Sequence, residues 1–203
     1  MMTAIKLCGL SRIGDIEAAN ELKPEYIGFV FAKESKRYIP PRRAAELKSL
    51  LADGIQAVGV FVNENPETVA RLLNSGMIHI AQLHGGEGED YIRRLRMLTD
   101  KPIMQAFCVR SGQDIANAGQ SVADYVLLDS GAGGGKVFDW KQVKEMKRPY
   151  FLAGGLSPEN VGEAIERLRP YAVDVSSGIE TNGIKDKGRM AEFVAAVRRE
   201  GGR

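Results

Sequence analysis

The sequence predicts an α/β protein built as a single parallel (β/α)8 barrel, and three observations carry that prediction. Short β-rich runs recur eight times, helix-patterned segments alternate with them, and 203 residues leave about 25 for each unit, which suits a compact closed barrel. An open doubly wound sheet is the structural alternative. It calls for a GxGxxG turn after the first strand, and CGLSRIG does not supply one.

In chain order the expected strands cover 4–8 (AIKLC), 26–31 (YIGFVF), 56–62 (QAVGVFV), 78–83 (IHIAQL), 102–107 (PIMQAF), 123–128 (ADYVLL), 149–153 (PYFLA) and 171–176 (YAVDVS). Apolar spacing of three and four predicts helices over 13–22, 41–51, 66–75, 89–98, 139–146, 158–168 and 186–199. Asn65-Pro66 and Ser157-Pro158 each place a capping residue before a proline at the first helical position. Ser111 to Gln120 is poor in apolar residues and carries two glycines, so the fifth helix is expected to be short or missing. No Pro/Ser-rich or charged linker interrupts the pattern, and residues 1–203 read as one domain.

Composition narrows the function classes. Hydrophobic residues at 44% and charged residues at 27% fit a globular chain, and a formal net charge of +2 gives no reason to expect nucleic acid as a partner. Two cysteines without CxxC spacing and two histidines without HExxH argue against a disulfide framework, a zinc site or any other bound metal. Lys6, Arg12, Asp15 and Glu17 interrupt the first 30 residues, so no signal peptide is expected, and no run approaches the roughly 20 apolar residues a membrane span needs. A cytoplasmic location with no membrane partner is the expectation.

A barrel of this kind works at the C-terminal ends of its strands. The residues placed there are Cys8, Arg37, Asn63, Gln82, His84, Cys108, Asp129, Gly154, Gly155, Ser176, Ser177 and Gly178. Glycine and serine concentrate after strands seven and eight, in AGGLSPEN and DVSSGIE, where backbone N–H groups and a helix start can form a phosphate cradle. The plainer alternative is that these glycines only make tight turns. Cys8 and Asp129 end strands one and six, and a thiolate with a carboxylic acid can lift a proton from carbon while protonating an oxygen. Free cysteine also packs as a small hydrophobe, which is the expectation for Cys108. Asp129, by contrast, follows the apolar run Tyr125 to Leu128, where a carboxylate has no packing purpose. Arg37 in SKRYIPP offers a bidentate grip on a carboxylate, although charge alone does not rank it above Lys33 or Lys36.

KLCGL, GFVFAKESKRYI, VGVFVNE, QLHG, LLDS with its glycine loop and FDW, LAGGLSPENV and AVDVSSGIE, in this order from Lys6 to about Glu180, resemble the phosphoribosylanthranilate isomerases of tryptophan biosynthesis. The resemblance implies a cofactor-free Amadori rearrangement of N-(5-phosphoribosyl)anthranilate to 1-(2-carboxyphenylamino)-1-deoxyribulose 5-phosphate, with a small phosphorylated substrate; the sequence does not choose between a monomer and a homodimer. It implies Asp129 as general acid, Cys8 as general base, Arg37 at the anthranilate carboxylate, and Gly154, Gly155, Ser177 and Gly178 at the phosphate. Gln82 and His84 would line the same mouth, with a wall-supporting hydrogen bond as the alternative for His84. The loop Gly131 to Val137 departs from the family pattern and is a candidate cover.

The chemistry asks for a lowered Cys8 and a raised Asp129 pKa, since free thiols titrate near ~8.5 and free aspartates near ~3.9. Lys6 points the same way as Cys8 and favours its thiolate; Asp174 on the eighth strand can pair with that lysine and weaken the effect. Two rivals remain. The histidine-pathway aldose–ketose isomerase uses aspartates at both positions, against which Cys8 speaks, and a phosphate-binding barrel without turnover has no need of Cys8 and Asp129 together.

Overall fold

The computed structural model describes residues 2–129, 143 and 146–201. Eight parallel strands close into a barrel in sequence order: β1 (Ala4–Cys8), β2 (Tyr26–Val30), β3 (Gln56–Phe61), β4 (Ile80–Leu83), β5 (Ile103–Cys108), β6 (Tyr125–Asp129), β7 (Phe151–Ala153) and β8 (Ala172–Val175). The last strand pairs with the first, with Lys6 opposite Asp174, which closes the ring. Helices α1 (Ile13–Leu22), α2 (Pro41–Lys48), α3 (Pro66–Asn74), α4 (Glu89–Arg96), α5 (Gly112–Gln120), α6 (Val161–Leu168) and α7 (Lys187–Gly201) account for the helical part of the described chain. The helix expected over 139–146 and the loop Gly131 to Val137 lie almost wholly outside the described residues.

The alternation of side chains along each strand sorts the residues into two cores. Outward residues such as Ile5, Leu7, Ile27 and Phe29 pack under the helices with Leu47, Val69, Ile165 and Phe193. Inward residues Ala4, Tyr26, Val58, Ile80, Met104, Leu127, Phe151 and Ala172 fill the lower barrel, where the Tyr26 and Phe151 rings meet edge-on at 5.3 Å. Cys8, Val30 and Val60 form a small apolar group higher up. Strands buried on both faces need near-continuous apolar runs, which is why YIGFV and QAVGVF lack simple alternation.

Two departures from the expected elements have local causes. Helix α5 is present and nine residues long: Ser111 and Asp114 cap it reciprocally, and Ile115 and Ala118 suffice to bury its inner face. Helix α6 begins at Val161 rather than at Pro158, because Asn160 takes the cap position after turning its side chain back to accept from the Ser157 N–H at 2.9 Å. Asn65 caps α3 through the Glu67 N–H, as its sequence predicts.

After β8 the chain makes a single 3₁₀ turn, Ser177–Ile179, and then a two-stranded antiparallel hairpin, β9 (Glu180–Thr181) and β10 (Ile184–Lys185). Asn182 and Gly183 connect them with φ of 54° and 78°. Positive φ at both loop residues is what a two-residue hairpin turn demands, and Asn-Gly supplies it at least cost.

Candidate active site

Lys6 is fully buried inside the barrel, two residues below Cys8, and its ammonium lies 3.0 Å from Asp174 Oδ1 on β8. Burial by itself pushes the Lys6 pKa down, but the Asp174 charge, with a smaller contribution from Cys8, more than offsets this and holds Lys6 above the ordinary lysine range. Cys8 ends β1 and is 7% exposed. Its thiol is pushed up by burial first; Lys6 and Lys185 pull it down, Asp174 pushes it up, and the net result is above the ordinary value. The expectation of a lowered Cys8 is therefore corrected for the unliganded protein. Desolvation outweighs both cations, and Asp174 adds to it.

Gly28 is the reason Cys8 fits. It pairs with Cys8 across the β1–β2 ladder, and a Cβ on it would stand 2.6 Å from Cys8 Sγ and 3.1 Å from Cys8 Cα. The glycine inside YIGFV thus clears room for the thiol.

Asp129 ends β6, half-buried, reached from Cys8 by crossing β7 and β8 around the ring. His84, just past β4, places Nε2 3.2 Å from Asp129 Oδ2, and its Nδ1 lies 3.1 Å from Gln82 Nε2. Gln82 Oε1 is buried without a hydrogen-bond partner among the described residues. This arrangement accommodates two proton positions. With the Gln82 amide donating to Nδ1, His84 carries its hydrogen on Nε2 and donates to an ionised Asp129. With the amide turned, Gln82 Oε1 accepts from Nδ1–H and Nε2 accepts a proton held by Asp129. Gln82, His84 and Asp129 therefore form one contiguous chain of polar contacts across the mouth. Asn63, expected at the mouth, instead builds the turn after β4: its Oδ1 accepts from Gly86 N–H at 2.8 Å and its own N–H donates to Glu87.

Arg37 lies between β2 and α2 and is already engaged. Its Nε and Nη2 donate to the two oxygens of Glu180 at 2.6 and 2.8 Å, and Lys185 Nζ donates to Glu180 Oε1 at 2.6 Å. Lys185 also donates to the Ser176 carbonyl at 2.8 Å, and Ser176 Oγ donates to the Cys8 carbonyl at 3.1 Å. Hydrogen bonding to Glu180, chiefly, holds Arg37 above the ordinary guanidinium range. Burial tends to raise the Glu180 pKa, but the bonds from Arg37 and Lys185 together keep it low. Glu180 and Lys185 do not stand out in the sequence; the Asn182-Gly183 turn between them is the signal that points to them.

The two glycine-rich turns abut. A Cβ on Gly178 would fall 2.0 Å from the Leu156 carbonyl oxygen, so the turn after β8 lies directly on the turn after β7. Gly154 and Gly155 there take φ of 92° and 65°, a path that L side chains resist. Ser177 is exposed at the same rim. The two turns form one backbone-lined rim beside the start of α6.

Cys108 contradicts its sequence reading. It is exposed rather than packed, and its position in the β5–β6 register, opposite Asp129, puts it on the inward face at the rim. At the other end of the barrel, a cleft of about 880 Å³ lies among Thr3, Tyr150, Pro170 and Tyr171. Arg148, which lines it, is occupied with the Ser121 and Ala123 carbonyls. Among the described residues no group of three or more His, Cys, Asp or Glu is arranged to hold a metal, and no helix is long and apolar enough to cross a membrane.

Residues 5–196 match the family model described as N-(5'phosphoribosyl)anthranilate (PRA) isomerase. An N-(5'-phosphoribosyl)anthranilate isomerase of Endomicrobium trichonymphae is 45% identical over 202 residues, covering 97% of this chain and 99% of the relative. The crystal structure of phosphoribosyl anthranilate isomerase from Thermotoga maritima superposes with a TM-score of 0.89 at 34% identity, covering 98% of this chain and 100% of that one. A further crystal structure of such an isomerase, in complex with reduced 1-(o-carboxyphenylamino)-1-deoxyribulose 5-phosphate, gives a TM-score of 0.87 at 34% identity over the same shares.

Proposed function

The chain belongs to the N-(5'-phosphoribosyl)anthranilate isomerase family, and on that premise we propose that Cys8 is the general base and Asp129 the general acid of its reaction. The reaction is the Amadori rearrangement of N-(5'-phosphoribosyl)anthranilate to 1-(2-carboxyphenylamino)-1-deoxyribulose 5-phosphate in tryptophan biosynthesis. Asp129 gives its proton to the ring oxygen, the C1–O bond breaks, and the anthranilate nitrogen carries the positive charge as an iminium. Cys8 then removes the proton from C2, and that electron pair forms the C1–C2 double bond of an enolamine. Ketonisation moves the hydroxyl proton at C2 to C1; solvent returns a proton to Asp129, and Cys8, which releases its thiol proton to solvent before taking the one from C2, ends protonated as it began.

The observation that carries this reading is the pairing of one buried thiol over an ammonium with one carboxylate backed by an imidazole, both on strand ends of the same mouth. The raised Cys8 pKa fits the order of steps. The thiol stays protonated in the empty site, and the iminium that forms beside it adds the positive charge that favours the thiolate just before C2–H is broken. His84 accepts or supplies the proton behind Asp129, with Gln82 following by turning its amide. Gly154, Gly155, Ser177 and Gly178 bind the phosphate through their backbone, and Arg37 binds the anthranilate carboxylate.

We place this work in the cytoplasm, in one domain spanning residues 1–203, with no metal, cofactor, nucleic acid or membrane. Every assigned group sits on one chain, so a monomer or a homodimer serves equally. The test is to follow the loss of anthranilate-type fluorescence on adding substrate, for the parent, Cys8→Ala and Asp129→Asn. Each variant should lose about 10²–10⁴-fold in kcat with little change in KM. Near-normal kcat in either variant would remove that residue from the mechanism, and no turnover by the parent would sink the reading.

A further inference from the structure

The carboxylate subsite contains more than Arg37. Glu180 and Lys185 face each other as a cross-strand pair on the β9–β10 hairpin, and side chains so paired lie on the same face. Both are buried, with side-chain exposures of 5% and 3%. The hairpin is itself tied down: Arg12 donates to the Lys185 carbonyl, and Thr181 Oγ1 donates to Asp186 Oδ2 at 2.8 Å.

A guanidinium has five N–H donors. Glu180 takes the Nε–H and one Nη2–H of Arg37, and the remaining Nη2–H with the two on Nη1 form an end-on fork that meets no partner among the described residues. The stem of Arg37 lies on Gly9, where a Cβ would stand 2.6 Å from Arg37 Cδ, so the guanidinium is fixed from two sides. Charge counting explains the third member. Arg37 with Glu180 alone is neutral and a poor lure for an anion; Lys185 makes the group net positive, and its bond to Glu180 draws negative charge away from the fork. Through Ser176 the same ammonium is linked to the backbone of Cys8.

We propose that Glu180 and Lys185 are positioning residues of the carboxylate subsite: Glu180 orients Arg37 so that its end-on fork receives the anthranilate carboxylate, and Lys185 keeps the trio cationic. The proposal rests on the reading of Arg37 as the carboxylate anchor. It also makes a prediction whose sign is informative. If charge alone mattered, Glu180→Gln would leave two uncompensated cations and tighten carboxylate binding. Orientation predicts the reverse.

The experiment compares affinities for reduced 1-(2-carboxyphenylamino)-1-deoxyribulose 5-phosphate and for its phenylamino counterpart without the carboxylate, in the parent, Glu180→Gln, Lys185→Met, Arg37→Ala and the double variant Arg37→Ala/Glu180→Gln. Glu180→Gln and Lys185→Met should each cut the preference for the carboxylate ligand about 10-fold, as expected for a charge-assisted bond that loses its geometry, with KM rising more than kcat falls. In the Arg37→Ala background Glu180→Gln should change the preference less than about 2-fold, because an effect exerted through Arg37 is non-additive. Glu180→Asp reads the same effect at smaller amplitude should Glu180→Gln not fold. An unchanged or increased preference in the Glu180 variants, with Arg37→Ala losing it, overturns this inference and leaves the anchor standing. Arg37→Ala with the parent's preference overturns the anchor itself.

Discussion

Replacing Lys6 with methionine tests the interior of the barrel and the active thiol at once. Methionine matches the length of the lysine stem but leaves Asp174, only 9% exposed at its side chain, without the ammonium 3.0 Å away. Removing one partner of a buried pair costs about 3–5 kcal/mol, a third or more of the stability of many domains, which lies around 5–15 kcal/mol. The pH dependence follows from the two partners. In the parent, Lys6 has a raised folded pKa, so its contribution is complete below the ordinary lysine pKa and fades only as pH climbs through the folded value. Between pH 5 and 8 the Lys6 contribution is therefore constant. In Lys6→Met the Asp174 carboxylate stays buried without its ammonium, so protonation relieves an unpaired buried charge and the deficit should shrink as pH falls. Urea unfolding at several pH values measures this, with Lys6→Met/Asp174→Leu as the compensated variant, expected to recover most of the loss. The loss of the cation should also move the acid limb of kcat/KM to higher pH, and the thiolate present at neutral pH should fall about tenfold for each pH unit the limb moves. A deficit below about 1 kcal/mol, or a double variant no more stable than the single, would refute the reasoning that this pair is a committed buried ion pair.

Two further predictions follow from close contacts and exposure. Gly28→Ala places a methyl 2.6 Å from Cys8 Sγ, so it should depress kcat at least about tenfold through the displaced base while phosphate-analogue affinity is retained; unchanged kcat would mean the thiol position is not critical. A small alkylating reagent should label exposed Cys108 before Cys8, whose thiol is buried and held protonated, as peptide mapping by mass spectrometry would reveal. In Cys108→Ser the remaining slow labelling at Cys8 should track inactivation, and fast Cys8 labelling would contradict its raised pKa.

The barrel was legible because its signal is repeated: eight short apolar runs alternating with helical spacing leave few alternatives. The places of Cys8 and Asp129 at the ends of β1 and β6 were legible from the same runs, and strand parity alone put Lys6 and Asp174 inside. What the sequence hid was mostly the outcome of competition. Lys6 and Lys185 favour the Cys8 thiolate while burial and Asp174 oppose it, and only the depth of the thiol decides. Cys108 has the composition of a packed residue, but it lies at the rim, where it stays exposed. Ser157-Pro158 has the form of a helix start, yet Asn160 outcompetes it by bonding back to Ser157. The Glu180–Lys185 pair was written in the Asn182-Gly183 turn, a hairpin signal overshadowed by the expectation of β then α.

The bond between Lys6 and Asp174 spans 168 positions of sequence. A ribosome makes the chain from its N-terminus, so Cys8 and its neighbouring ammonium emerge early and wait through almost the whole of synthesis for the strand that covers them. Until β8 docks, the ring is open, β1 offers a bare edge, and the thiol that later becomes inaccessible is available to oxidants and to other chains. Contacts this distant in sequence are made late. Closing the ring and burying Cys8 are therefore one event, the docking of β8 against β1.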